Sequence, residues 1–267
     1  MAAHAGGALL TVDVHDPRTS WNRQGCEHLD PGLVQASLLA ALENVMARPK
    51  AVAFDIIETC FSLEPIGMAM TDAGFPPNAI ESCFAQTLRD AFALAVTESF
   101  APFLELFATN LEELGRRHSL ALSSQHRQQV IEAFELLSPR PDAVQAITKL
   151  QDVGIPVFAL TNGTTQGTKR LLERAGLVEA VRSIVSVEDI RTFKPRRQIY
   201  LHAARVARVA PSELALVSVH PWDVHGAKHA GLVAAFASGG QSYPTAMEPP
   251  DVNLNTLVQT TGALLQM

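Results

Sequence analysis

The chain has little cysteine, no excess of positive charge and no long uninterrupted apolar run, and each shortage removes a class of function. Three cysteines in 267 residues, Cys26, Cys60 and Cys83, form no CxxC pair. So sparse and odd a count argues against a disulfide framework and against a zinc finger. The 21 Lys and Arg are outnumbered by 27 Asp and Glu, giving a formal charge of -6 and a pI near 5.8. Basic side chains are scattered apart from short pairs such as Arg116-Arg117 and Arg196-Arg197, and without a basic face no nucleic-acid partner is expected. Apolar stretches fall far short of the ~20 residues a membrane helix requires, and the N-terminus lacks a basic-then-apolar secretory pattern. Internal repeats and low-complexity blocks are also missing. A cytoplasmic enzyme with a small-molecule substrate and no membrane partner is the expectation that survives.

What is present is an alternation of short apolar runs with helical patterns, in a chain long enough for one α/β core with an insertion. Residues 1–49 read as an N-terminal extension with one helix. Met1 to Pro31 shows little periodicity, while Leu33 to Leu42 repeats apolar residues at helical spacing until Pro49 ends the pattern. That helix would pack outside the core or against a second subunit, as in a homodimer. The first strand is Ala51-Val52-Ala53-Phe54-Asp55. Helical patterns then follow around 66–73, 78–97, 100–117 and 124–136, so residues 63–138 read as a helical cap. Pro139-Arg140-Pro141 marks the return to a core made of residues 50–62 and 139–267. There, helices at 142–152, 165–175, 197–207 and 224–230 alternate with strands at 155–160, 183–187, 214–219 and 233–237. Pro249-Pro250-Asp251 introduces a last helix. The fold class expected is α/β, a Rossmann-like parallel sheet core with an inserted α-helical cap.

A strand that stops on an acid places it at the carboxyl edge of such a sheet, where ligands of open α/β proteins bind. Asp55 is therefore a candidate nucleophile or metal ligand, with a buried structural acid as the plain alternative. Three later strand ends also deliver polar residues: Thr161-Asn162-Gly163, Lys194-Pro195 and Ser218-Val219-His220-Pro221-Trp222-Asp223. A cation near a carboxylate keeps it ionised, which suits Lys194 better than life as an exposed loop lysine. Thr161 and Asn162 can cradle an anion or departing halide, or cap the next helix, a task Thr164 or Thr165 could also perform. Thr59 can cap the turn after the first strand or touch substrate. Asp223 can orient a hydrolytic water, or cap its helix and anchor Lys194. His220 and His225 span a loop rather than one helix face, so no metal site is expected. The apolar spacing of Phe84, Phe92, Phe100, Phe103 and Phe107 predicts burial between cap helices, with Phe92 reaching the pocket.

The set Phe54-Asp55 with Thr59, Thr161-Asn162-Gly163, Lys194-Pro195 with Tyr200, Ser218, and Trp222-Asp223 with Gly226-Ala227-Lys228 resembles the haloacid dehalogenase superfamily. Within it the chain is most similar to the L-2-haloacid dehalogenase-like (type II) subfamily, over residues 51 to 262. The resemblance implies that Asp55 attacks the carbon bearing halogen and that water cleaves the resulting ester to a 2-hydroxy acid. It makes Lys194 the electrostatic partner of Asp55 and Asp223 a water-orienting residue. Thr59, Thr161, Asn162, Tyr200, Ser218, His220 and Arg89 become the substrate-binding set. No cofactor is implied, and the substrate would be a small carboxylic acid.

The departures carry as much chemistry. Superfamily phosphatases have a second aspartate where this chain has Ile57, and an acid where it has Val219. Losing both removes a general acid and a magnesium ligand, neither of which dehalogenation needs, because halide leaves unprotonated. Ala85 stands where the subfamily carries an arginine, with Arg89 one turn later as its substitute. His220 replaces an asparagine, and Glu58 replaces a glycine, adding negative charge beside Asp55, which could favour another electrophile such as a strained ring or an ester. A magnesium-dependent phosphatase using Asp55 and Asp223 is the second reading, and a non-catalytic homologue that binds a partner through its N-terminal segment is the third.

Overall fold

A computed structural model describes residues 48–267; the N-terminal extension and its expected helix lie outside the described residues. Along the chain run β1 (Ala51–Asp55), β2 (Phe61–Ser62), α1 (Glu64–Asp72), α2 (Ala79–Val96), α3 (Phe103–Arg117) and α4 (Ser124–Glu132). Next come β3 (Ser138–Pro139), α5 (Pro141–Asp152), β4 (Val157–Thr161), α6 (Thr165–Arg174), β5 (Val181–Ser186) and α7 (Arg197–Ala207). The chain finishes with β6 (Leu214–Ser218), α8 (Pro221–Ala230), β7 (Val233–Ala237), β8 (Val252–Leu254) and α9 (Leu257–Leu264).

Six strands form one parallel sheet in the order β5-β4-β1-β6-β7-β8. Every residue of β1, β4 and β6 is buried, which is why these strands read as continuous apolar runs: helices cover both faces and no solvent side calls for polar alternation. From β1 the chain builds outward through β4 to β5, then returns to the other flank for β6, β7 and β8. The order thus reverses beside β1, the switch point where open sheets leave a crevice at their carboxyl ends. Asp55 lies opposite Leu160 of β4, and Phe54 opposite Val217 of β6, so the acid emerges there.

The helices α1 to α4 all lie between β1 and β4. Around α2 and α3 they pack through aromatic rings: Phe84 meets Phe103 at 5.7 Å, and Phe107 meets Phe134 at 4.8 Å between centroids. Each buried phenyl contributes about 1.5–3 kcal/mol, and this seam holds the insertion together. The sequence reading has no counterpart for the two-stranded ribbon of β2 and β3, in which Phe61 pairs with Pro139 and Ser62 with Ser138, antiparallel. Two residues per strand are too few for any periodicity. Nor does it contain β8, three residues of which two are exposed. Helix α8 begins at Pro221 instead of Val224, because proline's fixed φ suits the first helical turn. Asp223 consequently sits inside that turn rather than ahead of it.

Candidate active site

Asp55 ends β1 with its carboxylate almost wholly buried and both oxygens bonded. Oδ1 accepts from Lys194 Nζ at 2.7 Å and Oδ2 from Thr59 Oγ1 at 2.6 Å. Lys194, on the loop between β5 and α7, has no exposed side-chain surface; besides Asp55 it donates to Asp223 Oδ2 at 2.8 Å and to the Leu160 carbonyl at 3.1 Å. All three ammonium protons are therefore used. Asn162 Oδ1 accepts from the Lys194 amide at 3.1 Å and so fixes the loop that carries it. On the far side, Tyr200 donates its hydroxyl to Asp223 Oδ1 at 2.6 Å. Such proximity needs glycine at 226: a Cβ there would lie 2.6 Å from both Tyr200 Oη and Pro195 Cβ.

Beyond the switch point, Ser218 Oγ accepts from the His220 amide at 3.1 Å, while Val219 donates its amide to Thr59 Oγ1 at 3.1 Å. The imidazole of His220 stacks on Trp222 at 5.2 Å. Its Nε2 faces three oxygens, the Ile57 carbonyl at 3.2 Å, Asp55 Oδ2 at 3.5 Å and Glu58 Oε2 at 3.6 Å. Glu58 has φ of 66°, a left-handed backbone conformation that glycine adopts without strain.

Charge follows this geometry. Burial raises the pKa of Asp55, but the Lys194 charge, then that of His220 and the two hydrogen bonds, outweigh it and leave the carboxyl below its ordinary value. For Asp223 burial wins, and the nearby Asp55 charge adds to it against Lys194, so its pKa is raised. Burial pulls Lys194 down, yet Asp223 and Asp55 together hold it above the usual lysine value. Glu58 is raised by its burial, opposed by His220 and reinforced by Asp55. The arrangement offers an ionised carboxylate pinned from behind by a cation, which suits nucleophilic attack.

Asp55 opens on a cavity of about 10 Å³, close to what one water molecule needs. Thr161, Asn162 and His220 line it from the sheet edge, Phe84, Leu88 and Phe103 from α2 and α3, and Ile57 and Trp222 complete the wall. The family model for haloacid dehalogenase-like hydrolases matches residues 49–231. The chain belongs to the haloacid dehalogenase-like hydrolases. An (S)-2-haloacid dehalogenase of Xanthobacter autotrophicus is 30% identical over 193 residues, 70% of this chain and 74% of that one. Another, from Burkholderia cepacia, is 27% identical over 185 residues, 68% of this chain and 80% of its own. The solved structure of the Xanthobacter autotrophicus L-2-haloacid dehalogenase with chloropropionic acid covalently bound superposes with a TM-score of 0.75 at 23% identity, covering 82% of this chain and 99% of that one.

In this haloacid dehalogenase-like hydrolase, three of the seven residues expected to bind substrate line the cavity: Thr161, Asn162 and His220. The other four face elsewhere. Thr59 and Ser218 are fully buried and spend their hydroxyls on Asp55 and on the His220 turn. Tyr200 lies behind Asp223, where it completes the bonding of that carboxylate. Arg89, expected to take the place of the arginine, is not in the lining of the cavity: its side chain is 65% exposed and paired with Asp90 at 2.9 Å. Asp223 does not line the cavity; its oxygens accept from Lys194 and Tyr200, so its bonds anchor Lys194. Thr164 caps α6, accepting from Gly167 at 2.9 Å, which frees Thr161 from that task. Phe92 packs on Trp222 at 5.1 Å and stands behind the wall. Residues the sequence reading did not assign to the site are Ile57, Phe84, Leu88, Phe103 and Trp222. Phe84 and Leu88 are an i,i+4 pair, and that spacing was their one signal. A hard divalent cation does not suit the donor set, since Ile57 and Val219 bring no side-chain oxygen and an ammonium already sits between the two carboxylates.

Proposed function

We propose that the chain hydrolyses small 2-halo acids through an aspartyl ester, with Asp55 as the nucleophile. The observation that carries this reading is the Asp55 carboxylate, bound through Oδ1 to Lys194 at 2.7 Å, facing a narrow, largely apolar cavity. An oxygen of Asp55 attacks C2 of the acid, and the halide leaves with the bonding electrons, needing no proton. Water then adds to Cγ, and the Cγ–O bond breaks to release a 2-hydroxy acid. Lys194 keeps Asp55 ionised and later stabilises the oxyanion formed on Cγ; Asp223 and Tyr200 position Lys194. Thr161 and Asn162 are the polar groups available to the substrate carboxylate or the departing halide. Helices α1 to α4 act as a cap that keeps bulk water out while the ester forms. The covalent adduct named for the Xanthobacter autotrophicus structure supports such an intermediate in that relative.

The test is halide release from 2-chloro- and 2-bromopropionate by the purified chain, with and without excess chelator. Halide appearing at equal rates in both conditions is the expected result. Phosphate-ester hydrolysis that chelator abolishes and magnesium restores would replace this reading with the phosphatase. An Asp55 peptide that gains no mass with any halo acid would leave the non-catalytic homologue.

A further inference from the structure

The chain carries a net charge of -6, yet one cleft on its surface is lined by the opposite sign. It encloses about 460 Å³, within the ~300–1,000 Å³ range of small-molecule sites. Arg191 and Arg196 line it from the loop between β5 and α7, and Arg205 and His202 from α7; Glu98 is the one acid in the lining. The Arg191 guanidinium lies over the Phe100 ring, 5.0 Å from its centroid, a cation–π contact. Arg205 Nη1 stands 3.4 Å from His202 Nδ1. Arginine can only donate, so Nδ1 accepts, and the ring hydrogen sits on Nε2, which faces Asp189 Oδ2 at 3.5 Å. His202 is therefore neutral there, and Asp189 faces an imidazole instead of a guanidinium. Arg196 does have a carboxylate partner, Glu98 at 3.2 Å, but that side chain is 80% exposed, and surface pairs of this kind hold weakly. Among the described residues no carboxylate pairs with Arg191 or Arg205. Three positive charges against one negative leave two to be balanced.

We propose that this cleft binds a small organic phosphate carrying at least two negative charges, a diphosphate or a bisphosphate. The planar fork of arginine meets phosphate oxygens two at a time. Two phosphoryl groups can engage arginines on both the loop and the helix, whereas a single halide is too small to meet both. Ile190 and Leu201, in the same lining, give the organic part an apolar seat. Arg191, Thr192 and Arg196 belong to the loop that carries Lys194, and Phe193, between them in sequence, stacks on Phe100 at 5.1 Å. A bound ligand therefore grips that loop from outside, while Lys194 ties it to the two carboxylates within. The assignment does not depend on the ester mechanism, since it rests on a separate cleft and its charges.

The test titrates inorganic pyrophosphate into the whole chain by calorimetry in about 0.15 M sodium chloride, where exposed charges are screened beyond ~8 Å. It is repeated with Arg191→Ala, Arg205→Ala and Arg117→Ala. Arg117 is exposed on α3, pairs with Glu113 and lies outside the lining, so its loss removes the same charge from another place. Wild type and Arg117→Ala should each bind one pyrophosphate per chain with equal affinity. Arg191→Ala and Arg205→Ala should each bind ~10-fold or more weakly while their unfolding temperatures hold. Orthophosphate should bind wild type ~10-fold or more weakly than pyrophosphate does. Hydrogen exchange places the site: amides between Ile190 and Arg205 should slow with pyrophosphate in wild type and not in Arg205→Ala. The assignment would be overturned by wild type showing neither saturable heat nor slowed exchange at millimolar pyrophosphate. Equal affinities across the three variants, or orthophosphate binding as tightly as pyrophosphate, would overturn it as well.

Discussion

The carboxyl edge of the sheet and the helices α1 to α4 face one cavity with opposite chemistry. The edge supplies every charged group, each pinned by hydrogen bonds of 2.6–3.1 Å: Asp55 by Lys194 and Thr59, Lys194 by Asp223 and Leu160, Asp223 by Tyr200. The helices supply Phe84, Leu88 and Phe103 and no polar atom. A network satisfied at every oxygen cannot shift one member without leaving a buried charge unpaired. An apolar wall can be recut at a modest cost in packing. In the function proposed above, reactivity belongs to the edge, and size selection and dryness to the insertion.

The comparison would break first at Asp55. Asp55→Asn should lower turnover ~10⁴-fold or more while the thermal unfolding transition survives; turnover near wild type would remove the edge from the chemistry. Lys194→Met comes next, with kcat reduced ~10²–10³-fold and the fold weakened by ~3–5 kcal/mol, since two buried carboxylates lose their cation. Its pH dependence has a definite sign. Lys194 is what holds the Asp55 pKa down, so without it burial raises that pKa, and activity is lost as pH falls through the raised value. The acid limb of the rate profile should move to higher pH, and a stationary limb would uncouple the two residues. By the same reasoning, the depressed pKa of wild-type Asp55 contributes stability above the unfolded-state value that disappears as pH falls through the folded one. Gly226→Ala should cost ~1–3 kcal/mol, measured by denaturant unfolding, and slow turnover by displacing Tyr200 from Asp223.

Changes in the helices should act on choice of substrate. Phe84→Leu should raise kcat/KM for 2-chlorobutyrate relative to 2-chloropropionate by a few-fold, the ~1–3 kcal/mol scale of a methylene in an apolar pocket setting the ceiling; an unchanged ratio would take the helices out of size selection. Smallest of all is Arg89→Ala, expected to leave kinetics and unfolding temperature as they are, because its side chain is exposed and meets only Asp90.

Sequence reasoning reads the edge and the helices unequally for the same physical cause. Strands β1, β4 and β6 are marked by buried apolar runs and end on Asp55, Thr161 and Ser218, with Asn162 and Asp223 just beyond, and Lys194 stands just ahead of helix α7 with its 3.6-residue spacing. That is enough to find Asp55, Lys194, Asp223, Thr161 and Asn162. Position along the chain does not give the direction of a side chain, however, so it does not show that Thr59, Tyr200 and Ser218 are buried and hydrogen-bonded to Asp55, Asp223 and the His220 turn. In the helices, Phe84 and Phe107 occupy equivalent places in the pattern. Phe84, on α2, lines the cavity and Phe107, on α3, packs against Phe134, a difference of tertiary packing that no local spacing records. Glu58 is the reverse case: the sequence marks it as a charge in place of glycine, and the structure adds a left-handed backbone that the charge does not reveal.

The ribbon of β2 and β3 has a consequence for how such a molecule can change over generations. Because Ser62 lies beside Ser138 and the Arg140 amide bonds the Cys60 carbonyl at 2.8 Å, the whole helical excursion leaves and rejoins the core at one doorway. To the sheet it is a long hairpin loop. The entropy of closing a loop grows only slowly with its length, so helices can be added, trimmed or traded through that doorway while the strands on either side keep their register. Lineages can thus explore new substrates by exchanging the excursion wholesale, with the bond-making carboxylate left undisturbed at its strand end.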